Sequence, residues 1–313
     1  MLQTVKNWLV QRGPDSPMVR AALRMDARAK GLSLEFGQDF ISIARRGRRM
    51  LIKQLHFVYA PFLFGIYEDV FESLVANQVN GVETLDFTVP AIWKYRESGI
   101  SLWCASLPEE DSTEIYTRYH KPQPCETIWD VGANSGFSTL QFGRAVGPQG
   151  RVIAWEPDAF NQEYLLRNIQ MHSLTNVVVE RSALSEKGGT AEFAADGSTG
   201  AGLCEYLAYS IEKTKLSVNT MSLPDACCKY GQPELVKMDI EGGEVGVLRG
   251  AISFLREHPN IDFVMETHRL PDGSSTEPEV AHMLKAAGYD VRTGNDKLGQ
   301  HFLWAGTSPL TSR

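Results

Sequence analysis

The segment Thr127–Ser138, Thr-Ile-Trp-Asp-Val-Gly-Ala-Asn-Ser-Gly-Phe-Ser, constrains this chain more than any other. A short run of β-branched and aromatic residues passes into a turn with two glycines. Apolar residues then return at helical spacing, with Leu140, Phe142 and Ala145 inside Phe137–Val146. Strand, glycine turn and helix in that order open a doubly wound α/β unit built on a parallel sheet. Gly132 and Gly136 permit a sharp reversal and leave room for a ligand against the backbone. Asn134 stands between them, and asparagine tolerates positive φ. Asp130, at the carboxyl end of the strand, is expected to aim at whatever occupies the turn.

Val152–Pro157 is a second apolar run, and it ends in Glu156. A carboxylate closing the second strand of such a unit can accept from two ribose hydroxyls at once. It falls about twenty residues beyond the turn, as such units require. The alternative is that Glu156 only caps the helix starting near Asp158. A dinucleotide site needs G-x-G-x-x-G so that a pyrophosphate can rest on the helix start. Here the glycines are four apart and Asn134 takes the middle position. That turn, with Asp130 beside it, suits an amino-acid ammonium better than a pyrophosphate, which favours S-adenosylmethionine over NAD.

Three motifs together carry a resemblance. They are Asp-Val-Gly-Ala-Asn-Ser-Gly at 130–136, Trp-Glu-Pro-Asp at 155–158 followed by Leu166 and Asn168-Ile169, and Val-Lys-Met-Asp-Ile-Glu-Gly-Gly-Glu at 236–244 with Leu248-Arg-Gly-Ala251. The chain resembles the FkbM family of S-adenosylmethionine-dependent methyltransferases over roughly residues 121–310. The resemblance implies a seven-stranded, mostly parallel class I methyltransferase sheet and, usually, methylation of a hydroxyl on a sugar, glycan or secondary metabolite. It implies cofactor contacts from Asp130, Gly132, Ala133, Asn134, Gly136, Glu156, Pro157 and Asp239. It also sets Ser182 and Ala183 against the adenine edge. The resulting division is a methyltransferase domain over 121–313 and an α+β appendage over 1–120.

The catalytic candidates sit after strands four and five. Leu235–Gly242 reads as strand four, and ligands of open parallel sheets lie beyond the strands' carboxyl ends, at the switch point. Alternation puts Lys237, Asp239 and Glu241 on one side. Glu244 opens the next helix, where it reads as a complement to the helix dipole. Ile261–His268 reads as strand five, with Glu266 and His268 facing the same way. The cluster of Asp239, Glu241, Glu266 and His268 suits a general base that takes a proton from an acceptor hydroxyl. It would equally suit a divalent cation. The base reading without metal is preferred, with His268 as the base because an unperturbed imidazole titrates nearest neutrality.

Composition narrows the partners. A net charge of −7 over 313 residues argues against nucleic acid, although residues 1–60 hold eleven Lys/Arg against four acidic residues. Five scattered cysteines read as reduced thiols without structural zinc. Met1–Val10 does not read as a signal peptide, and the longest apolar run, 56–66, is too short to span a bilayer. The expectation is therefore a cytoplasmic enzyme without stable membrane insertion, acting on a small-molecule or glycan acceptor, with a homodimer left open. Two other readings are a catalytically silent binding module and an N-methyltransferase.

In the amino-terminal third, Ser16-Pro17 starts a helix that Gly31 ends. Phe40–Ala44 and Met50–Lys53 form a hairpin around Gly47. Residues 59–78 read as one helix, and Asp111–Glu114 as the start of another. Trp93, Tyr95 and Arg96 read as a loop that either packs or touches the acceptor. The Gly/Ser/Ala-rich segment 195–202 reads as a surface loop or a lid.

Overall fold

The structure is a computed structural model, and it describes residues 8–9, 11–109, 113–195, 200–206, 214–270, 272–296 and 299–307. Residues 1–7 and 10 of the segment weighed as a signal peptide, the start of the helix at 111–112 and the centre of the suggested lid at 196–199 lie outside the described residues. Two compact units meet in sequence near residue 111.

The first unit opens with α1 (Pro17–Ala29), where Pro17 occupies the first turn and Val19, Leu23 and Ala27 form the buried stripe at four-residue spacing. The hairpin forms as expected from β2 (Phe40–Arg45) and β3 (Arg48–Lys53). With β1 (Ser33–Phe36), β4 (Asn77–Val79) and β5 (Val82–Asp86) it makes a sheet of order β1-β2-β3-β5-β4. At the hairpin tip, Arg48 pairs with Glu83 and Glu68, and Arg45 pairs with Glu68.

The single helix expected over 59–78 is instead three short pieces. A 3₁₀ turn covers Gln54–Tyr59, α2 covers Ala60–Gly65 and α3 covers Tyr67–Ser73, with Asn77–Val79 already a strand. Pro61 restarts the helix in its first turn, and Ile66 leaves it with φ −106° and ψ 16°. A four-residue apolar stripe cannot register such breaks. Trp93 and Tyr95 are likewise not in a loop. Trp93 lies in β6 (Ala91–Lys94), which pairs antiparallel with β7 (Ser101–Cys104), and both rings are buried. Trp93 packs edge-on to Phe87 with centroids 4.9 Å apart.

The second unit begins before residue 121: in α4 (Thr113–Tyr116), Ile115 accepts the Trp304 indole N–H through its carbonyl, and Ile115 and Tyr116 are buried against the sheet. The sheet contains β8 (Thr127–Val131), β9 (Arg151–Trp155), β10 (Val177–Glu180), β15 (Leu235–Met238), β16 (Asp262–Glu266), β17 (Asp290–Asn295) and β18 (His301–Gly306). Its order is β10-β9-β8-β15-β16-β18-β17, with β18 antiparallel to both neighbours and the other pairs parallel. That is the seven-stranded class I methyltransferase arrangement. The order reverses between β8 and β15, which fixes the ligand side at their carboxyl ends.

The central strands are buried on both faces, as parallel strands under helices must be. One face packs Trp129, Trp155, Met238 and Leu248, and the other Ile128, Phe142, Leu235 and Phe302. In α5 (Phe137–Val146), Val146 is buried and the expected Ala145 is exposed. Helix α7 (Leu223–Tyr230) precedes β15, and helix α8 (Glu244–Glu257) carries Gly246 and Gly250 where its neighbours come close. A Cβ at Gly250 would meet the Glu186 carbonyl oxygen at 2.0 Å, and one at Gly246 the Tyr206 hydroxyl at 2.5 Å.

An insertion between β10 and β15 forms a second sheet of order β11-β14-β12-β13. It comprises β11 (Ala183–Leu184), β12 (Gly189–Ala195), β13 (Gly202–Leu203) and β14 (Thr214–Met221). Of these, only Thr190–Ala194 and Leu216–Met221 read as strands in the sequence; β11, β13 and the gathering into one sheet did not.

Candidate functional site

A cleft opens at the carboxyl ends of β8, β9 and β15. Its polar side is made by Gly132, Glu156, Ser182 and Asp239, and its apolar side by Trp155, Phe193 and Leu203 among others.

The turn that forms its floor follows from its residues. Gly132, Asn134 and Gly136 all have positive φ, at 80°, 47° and 95°. Gly132 and Ala133 both donate N–H groups to the Trp155 carbonyl, which draws the turn against the end of β9. A Cβ on Gly132 would lie 1.8 Å from the Asp239 carbonyl oxygen, and one on Gly136 would lie 2.5 Å from Leu165. The glycines therefore let β8 meet β15 and let α5 meet α6 (Ala159–Met171). At both positions the room a side chain would need is taken by the protein's own atoms, not left for a ligand.

Glu156 is 4% exposed and lines the cavity. One carboxylate oxygen accepts the Asn134 N–H and the other the Asp158 N–H, each at 2.8 Å. The cap of α6 is Asp158, which accepts from Phe160 N–H. Glu156 thus does not cap the helix with its own side chain; it ties the turn to the end of β9 and presents its carboxylate to the cavity.

Of the remaining residues expected at the cofactor, Pro157, Ser182 and Ala183 also line the cavity. Ser182 is held by its N–H to Glu180 Oε1 at 2.8 Å. Ala133 packs against Ala154 and Leu165 and is fully buried. Asn134 turns its side-chain oxygen to Ser135.

Asp130 requires a correction. The expectation aims it into the turn, but its carboxylate faces the first turn of α5. It accepts the Ser138 hydroxyl at 2.8 Å and the Thr139 hydroxyl at 2.5 Å, and pairs with Lys237 Nζ at 3.2 Å. Both charged side chains are buried, and Lys237 also donates to the Gly132 carbonyl at 2.7 Å. Two hydroxyls and an ammonium at close range outcompete an outward rotamer.

The second polar group lies beyond β15 and β16. Strand β15 ends at Met238, so Asp239 and Glu241 belong to the turn before α8, and Glu241 has φ 55°. Asp239 lines the cavity and also stands 3.5 Å from His268 Nε2. Glu266 Oε1 is 3.7 Å from the same nitrogen. On the other side of the ring, Nδ1 lies 3.0 Å from Glu244 Oε1.

Glu244 is fully buried and also accepts the Gly242 N–H, at 3.2 Å. It was read from sequence as a complement to the helix dipole. The Glu-Gly-Gly-Glu run could have signalled otherwise, since its two acids bracket a forced turn.

The His268 environment also changes its expected protonation. Burial pulls the imidazole pKa down, but Glu244, Glu241 and Glu266 push it further the other way, so it lies well above its ordinary value. These carboxylates therefore favour the protonated ring over the neutral imidazole that a general base requires. The apolar wall from Phe193 and Leu203 was also missed, because its residues come from the insertion rather than from any motif.

The profile of the Methyltransferase FkbM domain matches residues 130–291. Among solved structures, the chain is similar to a methyltransferase FkbM from Methylobacillus flagellatus at 15% identity and a TM-score of 0.45. The match covers 80% of this chain and 54% of that one, so this chain spans about half that protein's length. It is also similar to a precorrin-6y C5,15-methyltransferase from Geobacter metallireducens, at 14% identity and a TM-score of 0.41, covering 63% of this chain and 87% of that one. A SAM-dependent methyltransferase from Aquifex aeolicus matches at 14% identity and a TM-score of 0.37, covering 63% and 93%. No curated relative matches the sequence.

Proposed function

The chain belongs to the FkbM methyltransferase family, and from that premise we propose that it is an S-adenosylmethionine-dependent O-methyltransferase acting on a hydroxyl of a sugar, glycan or secondary metabolite. The observation that carries the reading is the double membership of Asp239, which lines the cavity and belongs to the Glu266–His268 cluster. A cofactor cavity and a proton-handling group thus share one carboxylate.

The cavity residues fit the cofactor. A flat heterocycle suits the apolar side of Ala183, Leu184, Phe193 and Leu203. Glu156, fixed by two backbone amides, offers acceptor lone pairs to ribose hydroxyls. Asp239 provides negative charge for a cationic amino-acid end. When bound, S-adenosylmethionine supplies a methyl group already activated by its sulfonium.

The protein's contribution is position and proton uptake. Asp239 and Glu266 are the carboxylates available to accept the acceptor's hydroxyl proton. His268 between them orients both, and Glu244 holds the ring in place. Orientation counts heavily in such a transfer, because the donor needs no further activation.

The test is incubation with methyl-labelled S-adenosylmethionine and a panel of sugars, glycans and hydroxylated metabolites, read by mass spectrometry. Label on an acceptor oxygen supports the reading. Label on nitrogen redirects it to an N-methyltransferase. Cofactor binding with no transfer to any acceptor leaves a binding module.

A further inference from the structure

His268 faces in two directions. Its Nδ1 is committed to the buried Glu244 carboxylate at 3.0 Å. Its Nε2 meets two carboxylate oxygens, Asp239 Oδ1 at 3.5 Å and Glu266 Oε1 at 3.7 Å. Those separations are too long for good N–H···O hydrogen bonds, which lie near 2.9 Å. They do suit ligand atoms sharing a metal. Ligands about 2.1 Å from an ion stand about 3.0 Å apart in an octahedron and about 3.4 Å apart in a tetrahedron. One ligand atom from each of the three residues lies within 4.8 Å of the others.

A second observation comes from behind the ring. Glu244 is fully buried, and its Oε2 has no hydrogen-bond partner among the described residues. A carboxylate on the far nitrogen of a ligating histidine fixes the tautomer that presents the other nitrogen's lone pair, a recurrent arrangement in metal sites. It also leaves buried negative charge that a cation would balance.

We propose that Asp239, Glu266 and His268 form a divalent cation site, with Glu244 as the positioning residue behind His268. This reverses the preference for a metal-free cluster drawn from sequence. One imidazole with two carboxylates favours manganese, iron or zinc over magnesium or calcium, which prefer all-oxygen sites. The site rests on the methyltransferase reading only for its purpose, which is to hold the acceptor. Three protein ligands leave further coordination positions, and adjacent oxygens fill such positions best. The acceptor class is therefore a vicinal diol or an α-hydroxy carbonyl. Single-oxygen ligation by Asp239 leaves its second oxygen for the hydroxyl proton, as the reaction above requires.

The experiment uses the full chain, stripped with chelator and titrated with Mn²⁺ alone, followed by electron paramagnetic resonance and calorimetry. Binding of S-adenosylmethionine is measured on the same preparation. The expected result is one Mn²⁺ per chain, with affinity reduced about 100-fold or more in Glu266→Gln and His268→Gln. Glu244→Gln should weaken binding about 10- to 100-fold, the usual effect of losing a supporting carboxylate. Circular dichroism confirms the variants' fold. If any variant fails to fold, the stoichiometry and the Mn²⁺-induced rise in unfolding temperature of the parent decide. No stoichiometric Mn²⁺ binding overturns the proposal, as does binding unchanged in all folded variants. Cofactor binding without Mn²⁺ binding rejects this site alone, whereas Mn²⁺ binding without cofactor binding rejects the methyltransferase reading instead.

Discussion

Two charged groups flank the carboxyl end of β15, and they are built on opposite principles. Asp130 and Lys237 lie side by side on β8 and β15 and are almost closed. Two hydroxyls, an ammonium and a backbone carbonyl engage them, and neither side chain is more than 2% exposed. Asp239, Glu266, His268 and Glu244 lie just beyond the strand ends with three carboxylates to one imidazole, long contacts at Nε2 and an unmatched oxygen on Glu244. The first group is a fastener, in which even Asp130 Oδ1, without a hydrogen bond, is paired with Lys237 at 3.2 Å; the second keeps its carboxylates at longer range from Nε2. Adjacent motif residues can therefore have unrelated tasks: Lys237 and Asp239 are two apart in sequence, yet one locks the sheet and the other faces the cavity.

The contrast predicts effects of different kinds. The largest is on transfer. Asp239→Asn should lower methyl transfer about 100- to 10,000-fold, the range for loss of a proton-handling group, with the unfolding temperature nearly unchanged. Comparable turnover in the variant would remove Asp239 from the chemistry. Asp130→Ala should instead cost about 3–5 kcal/mol of stability, because it strands a buried ammonium. Denaturant titration checks this, and the double variant Asp130→Ala/Lys237→Met should lose less than the two single changes together. If Asp130→Ala were fully stable and only cofactor binding were lost, the fastener assignment would be wrong.

Glu266→Gln sharpens the same comparison. Removing one of several like charges should change stability by less than about 1 kcal/mol or raise it, in the absence of a cation. A loss as large as that of Asp130→Ala would show that the cluster is closed after all.

The smallest effect concerns Glu180, at the end of β10. Burial pushes its pKa up, but Lys229, the Tyr230 hydroxyl and Ser182 pull it down further, to about 2. A depressed carboxylate pKa adds stability above its unfolded value of 4.5, and that stability fades as pH falls toward about 2. Glu180→Gln should therefore be less stable than the parent at neutral pH, with the gap closing under acid. Half-exposed Lys229 keeps the effect modest. Unfolding curves at several pH values decide it.

Much of the second unit was legible because parallel strands buried on both faces read as apolar runs, and because Gly132, Asn134 and Gly136 mark their turn by residue type. The position of Glu156 followed from the strand it closes. The orientation of Asp130 did not, since Ser138 and Thr139 compete for it only once α5 is folded. The His268 environment was equally hidden, because Glu244 and Glu266 reach it from separate elements. The apolar wall at Phe193 and Leu203 arises from an insertion with no motif of its own. In the first unit, four-residue apolar spacing over 59–78 concealed the breaks at Pro61 and Ile66.

The most direct measurement of the central claim is calorimetric titration of the intact chain with S-adenosylmethionine. The account predicts one molecule bound per chain, weakened about tenfold or more in Glu156→Gln through loss of a charge-assisted hydrogen bond worth about 1.5–3 kcal/mol. No binding at millimolar cofactor, or equal affinity in the folded Glu156→Gln variant, would contradict it.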